Sequence, residues 1–195
     1  MIINRSFSSS LLNKERFGSL KSLVLLVVIA ILATSNTYAQ ASFETIDGLR
    51  YLIDSDVKTA TLAANNGDEK YSGNIVVPEK IKASNGVEYP VTAFGSNAFK
   101  DCDGLKSITI PSSVTSLGNS CFEYCSGLTS ITIPSSVISL GNDCFLECSG
   151  LTSITIPSSV TSLSDGCFGS CSGLTSITIP SSVTSLGESC FSGCI

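Results

Sequence analysis

Apolar positions along this chain return with a period of 23 residues, and within each period they change rhythm. The octapeptide Ser-Ile-Thr-Ile-Pro-Ser-Ser-Val begins at Ser107, Ser130, Ser153 and Ser176. In the unit running from Leu128 to Gly150, Ile131 and Ile133 alternate with Ser130 and Thr132. That is the two-residue period of a short strand with isoleucines inward and hydroxyls outward. Pro134 removes a ladder donor and ends the strand. Beyond Leu140 and Gly141, Cys144, Phe145 and Cys148 stand at i, i+1 and i+4, a spacing that predicts one or two turns of helix, with Gly150 as the C-cap.

One such unit carries too few inward side chains to offset the entropy of ordering it, so copies must stack and share a core. Equivalent strands then form a parallel ladder, and Phe99, Phe122, Phe145, Phe168 and Phe191 line up inside it. The expected fold is a β-rich solenoid with short parallel strands on one face and short helical turns on the other. Residues 105–195 supply four repeats, the last incomplete, and residues 75–104 a diverged first repeat, ten residues longer between Pro78 and Pro111. Asn85-Gly86 between two alternating runs marks the extra residues as a hairpin. Residues 40–74 contain Asp47-Gly48 between Phe43–Ile46 and Leu49–Ile53, which predicts an N-terminal cap of β-hairpins over the first coil. The array stops at Cys194-Ile195 before another strand could form. That predicts either self-association through an uncapped C-terminal coil or a non-functional fragment of a longer repeat protein.

The unit resembles the leucine-rich repeats of the BspA-like family, in which Leu-x-x-Ile-x-Ile-Pro is followed by Val-x-x-Ile-Gly, an Ala-Phe pair and a Cys. The likeness covers 105–195 and extends back through Ile75-Val-Val-Pro78, Val91-Thr-Ala-Phe94 and Ala98-Phe99-Lys-Asp-Cys102. Residues 42–74 lie outside it. The chain departs from the pattern at Cys121, Cys144, Cys167 and Cys190, where the family usually has the Ala kept here at Ala98. The resemblance implies a secreted or surface-attached module for adhesion and protein contact, without catalysis.

Residues 1–39 read as a signal peptide: Arg5, Lys14, Arg16 and Lys21 precede the apolar run Leu23–Ala33, and Thr37-Tyr38-Ala39 offers a cleavage site. Cleavage is expected after Ala39, with Ala41 as the second choice and an uncleaved anchor as the alternative. Eleven apolar residues are too few for a stable transmembrane span. Removing the leader leaves 7 basic against 15 acidic residues, a net charge of −8, which makes nucleic acid an improbable partner.

Nine cysteines form the loudest chemical signal: Cys102, then Cys121/Cys125, Cys144/Cys148, Cys167/Cys171 and Cys190/Cys194. Three intervening residues put both sulfurs of a pair on one face, so burial as small hydrophobes is the leading reading. Disulfides between neighbouring coils and a thiol redox role are the alternatives. A metal site lacks histidine and a convergent spacing. Asp54, Asp56, Asn66, Asp68 and Glu69 do not have the spacing of a calcium loop. With no His anywhere and acidic residues scattered singly through the repeats, nothing assembles a nucleophile with a base. No enzyme activity and no cofactor are expected.

The outward strand positions carry the binding hypothesis. Ser107, Thr109, Ser130, Thr132, Ser153, Thr155, Ser176 and Thr178 make two parallel columns of hydroxyls on a flat, uncharged face. The plain alternative is that they are solvated β-formers. The face suits an extracellular or host protein. A second reading is recognition of an ordered repetitive surface, a polysaccharide or ice, although the strand positions lack aromatic rings for stacking on sugars.

Overall fold

The computed structural model describes residues 41–65, 67 and 70–194, which belong to the compact unit Gln40–Ile195. The leader and its cleavage position lie outside the described residues, as do Asn66, Asp68 and Glu69. Strands alone make up the regular structure of the described residues. They are β1 (Ser42–Ile46), β2 (Leu49–Asp54), β3 (Thr59–Leu62), β4 (Gly73–Val76), β5 (Lys80–Lys82), β6 (Glu88–Phe94) and β7 (Leu105–Thr109). Beyond them follow β8 (Ser116–Leu117), β9 (Ser130–Thr132), β10 (Ser139–Leu140), β11 (Ser153–Thr155), β12 (Ser162–Leu163) and β13 (Ser185–Leu186).

Two parallel ladders run along the stack. The first is β4-β7-β9-β11, with Ser130 beside Ser153 and Thr132 beside Thr155. Ser176–Thr178, expected as its last strand, is reduced to a single bridge between Thr155 and Thr178. The second ladder is β3-β6-β8-β10, followed by the pair β12-β13. At the N-terminal end β1, β2 and β3 pair antiparallel, with Asp47 and Gly48 (φ 50° and 79°) making the first turn. The antiparallel pair β5-β6 encloses Asn85-Gly86.

The second half of each repeat is not helical; among the described residues there is no α-helix. Instead its N–H groups alternate in direction. Ser120, Phe122 and Tyr124 donate to Asn142, Cys144 and Leu146 of the next coil (2.8, 2.8 and 2.9 Å), while Glu123 and Cys125 close turns on Ser120 and Phe122. A helix would fold every N–H back onto its own i−4 carbonyl and leave none for the neighbouring coil. The coil-to-coil bonds take precedence, which is the physical reason the i, i+1, i+4 spacing misleads here. The price is left-handed backbone at two positions per coil, Ser120 and Tyr124 (φ 54° and 61°), repeated at Asp143 and Glu147.

Inside, the phenylalanines stack face to face. Ring centroids from Phe99 to Phe122, Phe145, Phe168 and Phe191 are 5.2, 5.2, 5.4 and 5.5 Å apart, with interplanar angles of 0–6°. Phe99 to Phe168 are fully buried, as are Leu128 and Leu151, while Phe191 is half-buried. At the other end Tyr71 leans on Phe99 at 5.2 Å, accepts the Arg50 N–H and donates to the Ala63 carbonyl.

Close coil spacing also explains the glycines. A Cβ on Gly150 would lie 2.1 Å from the Ser126 carbonyl oxygen, so this residue lets two coils approach and is not a helix cap. Likewise a Cβ on Gly141 would meet the Asn119 nitrogen at 2.5 Å. One coil later that column holds Ser164, and there the second ladder opens: β8-β10 and β12-β13 pair, but β10 and β12 do not. Gly141 and Gly187 donate their N–H groups to Leu117 and Leu163, whereas the Leu140 carbonyl receives the Ser164 hydroxyl at 2.7 Å.

Two measurements follow from this packing. Phe145→Ala should destabilise the chain by about 3–5 kcal/mol, the cost of deleting a buried aromatic ring, read from the denaturant midpoint. In hydrogen exchange the Thr161 and Ser164 amides should lose protection before Ile138, Gly141, Thr184 and Gly187. Ser164→Gly should restore that protection, and equal rates in the parent chain would contradict the open ladder.

Candidate functional site

All eight predicted face residues are solvent-exposed and in register. Ser107 and Thr109 lie on β7, Ser130 and Thr132 on β9, Ser153 and Thr155 on β11, with Thr178 bridged to Thr155 and Ser176 beside it. The intervening Ile108, Ile131 and Ile154 are buried, which is what fixes the hydroxyls outward. The columns continue into β4, where Asn74 pairs with Ser107 and Val76 with Thr109. The Ser107 hydroxyl donates to Asn74 Oδ1 at 2.8 Å, and Val76 is 71 % exposed. Sequence reading missed these two residues, although aligning Ile75-Val76-Val77-Pro78 with Ile108-Thr109-Ile110-Pro111 puts Val76 in the threonine column.

The eight positions are uncharged, and Lys106 is the one charged residue on β7, β9 and β11. On the turn side of the coil Glu123 is buried against Lys100, with 2.7 Å between Oε2 and Nζ, and that bond pushes the Lys100 ammonium above its ordinary range. Asp54 serves its own turn, accepting the Asp56 and Val57 N–H groups at 2.9 and 3.1 Å. Among the described residues no group of three or more His, Cys, Asp or Glu side chains converges to hold a metal.

The nine cysteines are free thiols, eight of them buried and Cys194 half-buried. Cys125, Cys148, Cys171 and Cys194 donate their S–H to the carbonyls of Phe99, Phe122, Phe145 and Phe168, 3.0–3.1 Å away. Phe99 O also takes the Cys102 N–H of its own turn, so each phenylalanine carbonyl ties its coil to the next through a thiol. Burial pushes the Cys121, Cys144, Cys148 and Cys167 thiols far above their usual range and Cys171 up to about 12. These are inert side chains, since the thiolate is the nucleophile.

A raised thiol pKa in the folded chain has a defined sign. Below the unfolded value of about 8.5 both states are protonated and stability is unaffected. Above it only the unfolded chain ionises, so stability falls as pH rises toward the folded value, by about 1.4 kcal/mol per pH unit for each thiol. Denaturant midpoints should therefore be level from pH 6 to 8 and fall steeply by pH 10. A thiol reagent at neutral pH should find at most one of the nine cysteines until the chain is unfolded.

The stacked coils can be set beside known proteins. A family model for the BspA type leucine rich repeat region matches residues 79–195 in six copies. Comparison with curated proteins gives no match. Among solved structures, a leucine rich cell surface protein from Faecalibacterium prausnitzii A2-165 is 29 % identical over 80 % of this chain, with a TM-score of 0.62. A leucine rich repeat protein of T. pallidum is 26 % identical over 75 %, with a TM-score of 0.66, and one from Bacteroides capillosus is 26 % identical with 0.54. The chain spans 47 % of the first of these proteins, 64 % of the second and 99 % of the third. With the repeats matched over more than half its length and the coils built alike, the chain belongs to the BspA type leucine-rich-repeat family.

Proposed function

We propose that this chain is an exported interaction module that mediates adhesion or protein binding at the cell surface. It acts without catalysis, through the face formed by Ser107, Thr109, Ser130, Thr132, Ser153, Thr155, Ser176 and Thr178. The observation that carries this reading is the register of those side chains: exposed, uncharged and anchored from behind by the buried Ile108, Ile131 and Ile154 and the half-buried Ile177. A rigid sheet face positions contact groups with little entropy left to lose on binding. The similar protein from F. prausnitzii is described as a cell surface protein, and the basic-then-apolar leader supports export. No helix among the described residues is long and apolar enough to cross a membrane. In this reading β1–β3 close the first coil as a cap, with Tyr51, Ile53 and Leu62 buried beneath them. An extracellular or host protein is the partner.

Strands spaced about 4.8 Å apart give a face roughly 20–24 Å long, well short of the ~800 Å² per partner of a standard interface. One copy therefore binds weakly, and clustering on the surface raises its avidity.

The parallel pairing of like hydroxyls, Thr132 beside Thr155 and Thr155 beside Thr178, favours one second reading: recognition of an ordered polysaccharide or of ice. Replacing Thr132 and Thr155 together by Lys separates the two. Loss of cell or protein attachment, with the melting temperature unchanged, supports the proposed module. Loss of glycan or ice binding with protein attachment intact supports the second reading, and unaltered behaviour throughout removes the face from both.

A further inference from the structure

The turn after each repeat's Ser-Ile-Thr segment has the same four residues, Pro111–Val114, Pro134–Val137, Pro157–Val160 and Pro180–Val183. Each is closed by the Val N–H on the Pro carbonyl at 3.0–3.1 Å. The first of these turns already holds a carboxylate. Glu79 Oε1 accepts the Ser112 N–H at 3.0 Å and the Ser112 hydroxyl at 2.8 Å, and Oε2 accepts the Ser113 N–H at 3.0 Å. Two successive backbone N–H groups and a hydroxyl are a concave anion site.

Glu79 follows Pro78 and so occupies, one coil earlier, the position that Ser112, Ser135 and Ser158 hold before the later turns. A serine side chain is two carbons shorter, and among the described residues none of Ser112, Ser135 and Ser158 bonds to the serine amides of the following turn. The N–H groups of Ser135, Ser136, Ser158, Ser159, Ser181 and Ser182 have no partner among the described residues. Ser135, Ser158 and Ser181 are exposed. In three of the four copies the second serine fixes the turn from behind: Ser113, Ser159 and Ser182 donate to the carbonyls of Val91, Val137 and Val160, while the buried Ser136 hydroxyl has no partner among the described residues.

We infer that the turns at Ser135-Ser136, Ser158-Ser159 and Ser181-Ser182 are three carboxylate-binding subsites, one coil apart, that take acidic side chains of a protein partner. The inference rests on the interaction-module reading for its partner and on Glu79 for its chemistry. No Lys or Arg follows Lys106, so these turns offer geometry without positive charge. That suits a carboxylate delivered by a docked protein and not a polyphosphate, whose binding depends on cations.

The test is an amide chemical-shift titration of the whole chain with a hexaglutamate peptide, using hexaglutamine as the control. Shifts are expected at the six free serine amides and not at Ser112 or Ser113, which Glu79 occupies. Glu79→Gln should make Ser112 and Ser113 respond as well, and Ser135→Glu should silence Ser158 and Ser159 by supplying a carboxylate from within. The inference is overturned if hexaglutamine produces the same shifts, if Ser112 and Ser113 respond with Glu79 in place, or if the free turns stay unmoved. Response at the turns together with unimpaired attachment of the Thr132→Lys, Thr155→Lys variant would keep the subsites and discard the strand face as the place of adhesion.

Discussion

Hydrogen bonds that leave one coil and end on the next hold this protein together. They come in three sets, the two strand ladders and the row of turns, around a stack of phenylalanine rings 5.2–5.5 Å apart. Each set demands that the coils lie at one spacing, and each residue choice in the repeat answers that demand. Glycines remove the Cβ where backbone meets backbone. Buried thiols donate to the phenylalanine carbonyls. Two residues per coil accept a left-handed backbone where the turn row bonds to its neighbour. A coil in isolation would satisfy none of these groups, which is why its stability belongs to the array.

The parts of the fold legible in sequence are those set by pattern along the chain. Ile131 and Ile133 alternate with hydroxyls, and that alone fixes a strand and its inward face; the phenylalanine period fixes the stack. The parts that were not legible depend on what lies between coils. Cys144, Phe145 and Cys148 fit a helical turn by spacing, yet the Phe145 N–H goes to Cys167 of the next coil, as those of Asp143 and Glu147 go to Asp165 and Gly169, a demand no local pattern displays. Gly150 suits a C-cap by position and is explained by the Ser126 carbonyl instead.

The same division holds for the surface. The columns of Ser and Thr follow directly from the repeat, because a side chain that alternates with a buried isoleucine must point outward. Asn74 and Val76 are harder to see, since the longer first repeat offsets them by 33 residues from Ser107 and Thr109. Glu79 is harder still: in sequence it is one acidic residue after a proline, and only the register of two coils brings it onto the Ser112-Ser113 amides.

The near-parallel rings and the in-register ladders make each coil interchangeable with its neighbour, and this has a genetic consequence. Recombination between two of the almost identical repeats removes or adds 23 residues as a block, and the coils flanking the junction meet through the same ring, thiol and glycine contacts as before. Length can therefore vary between descendants without a new core having to be found.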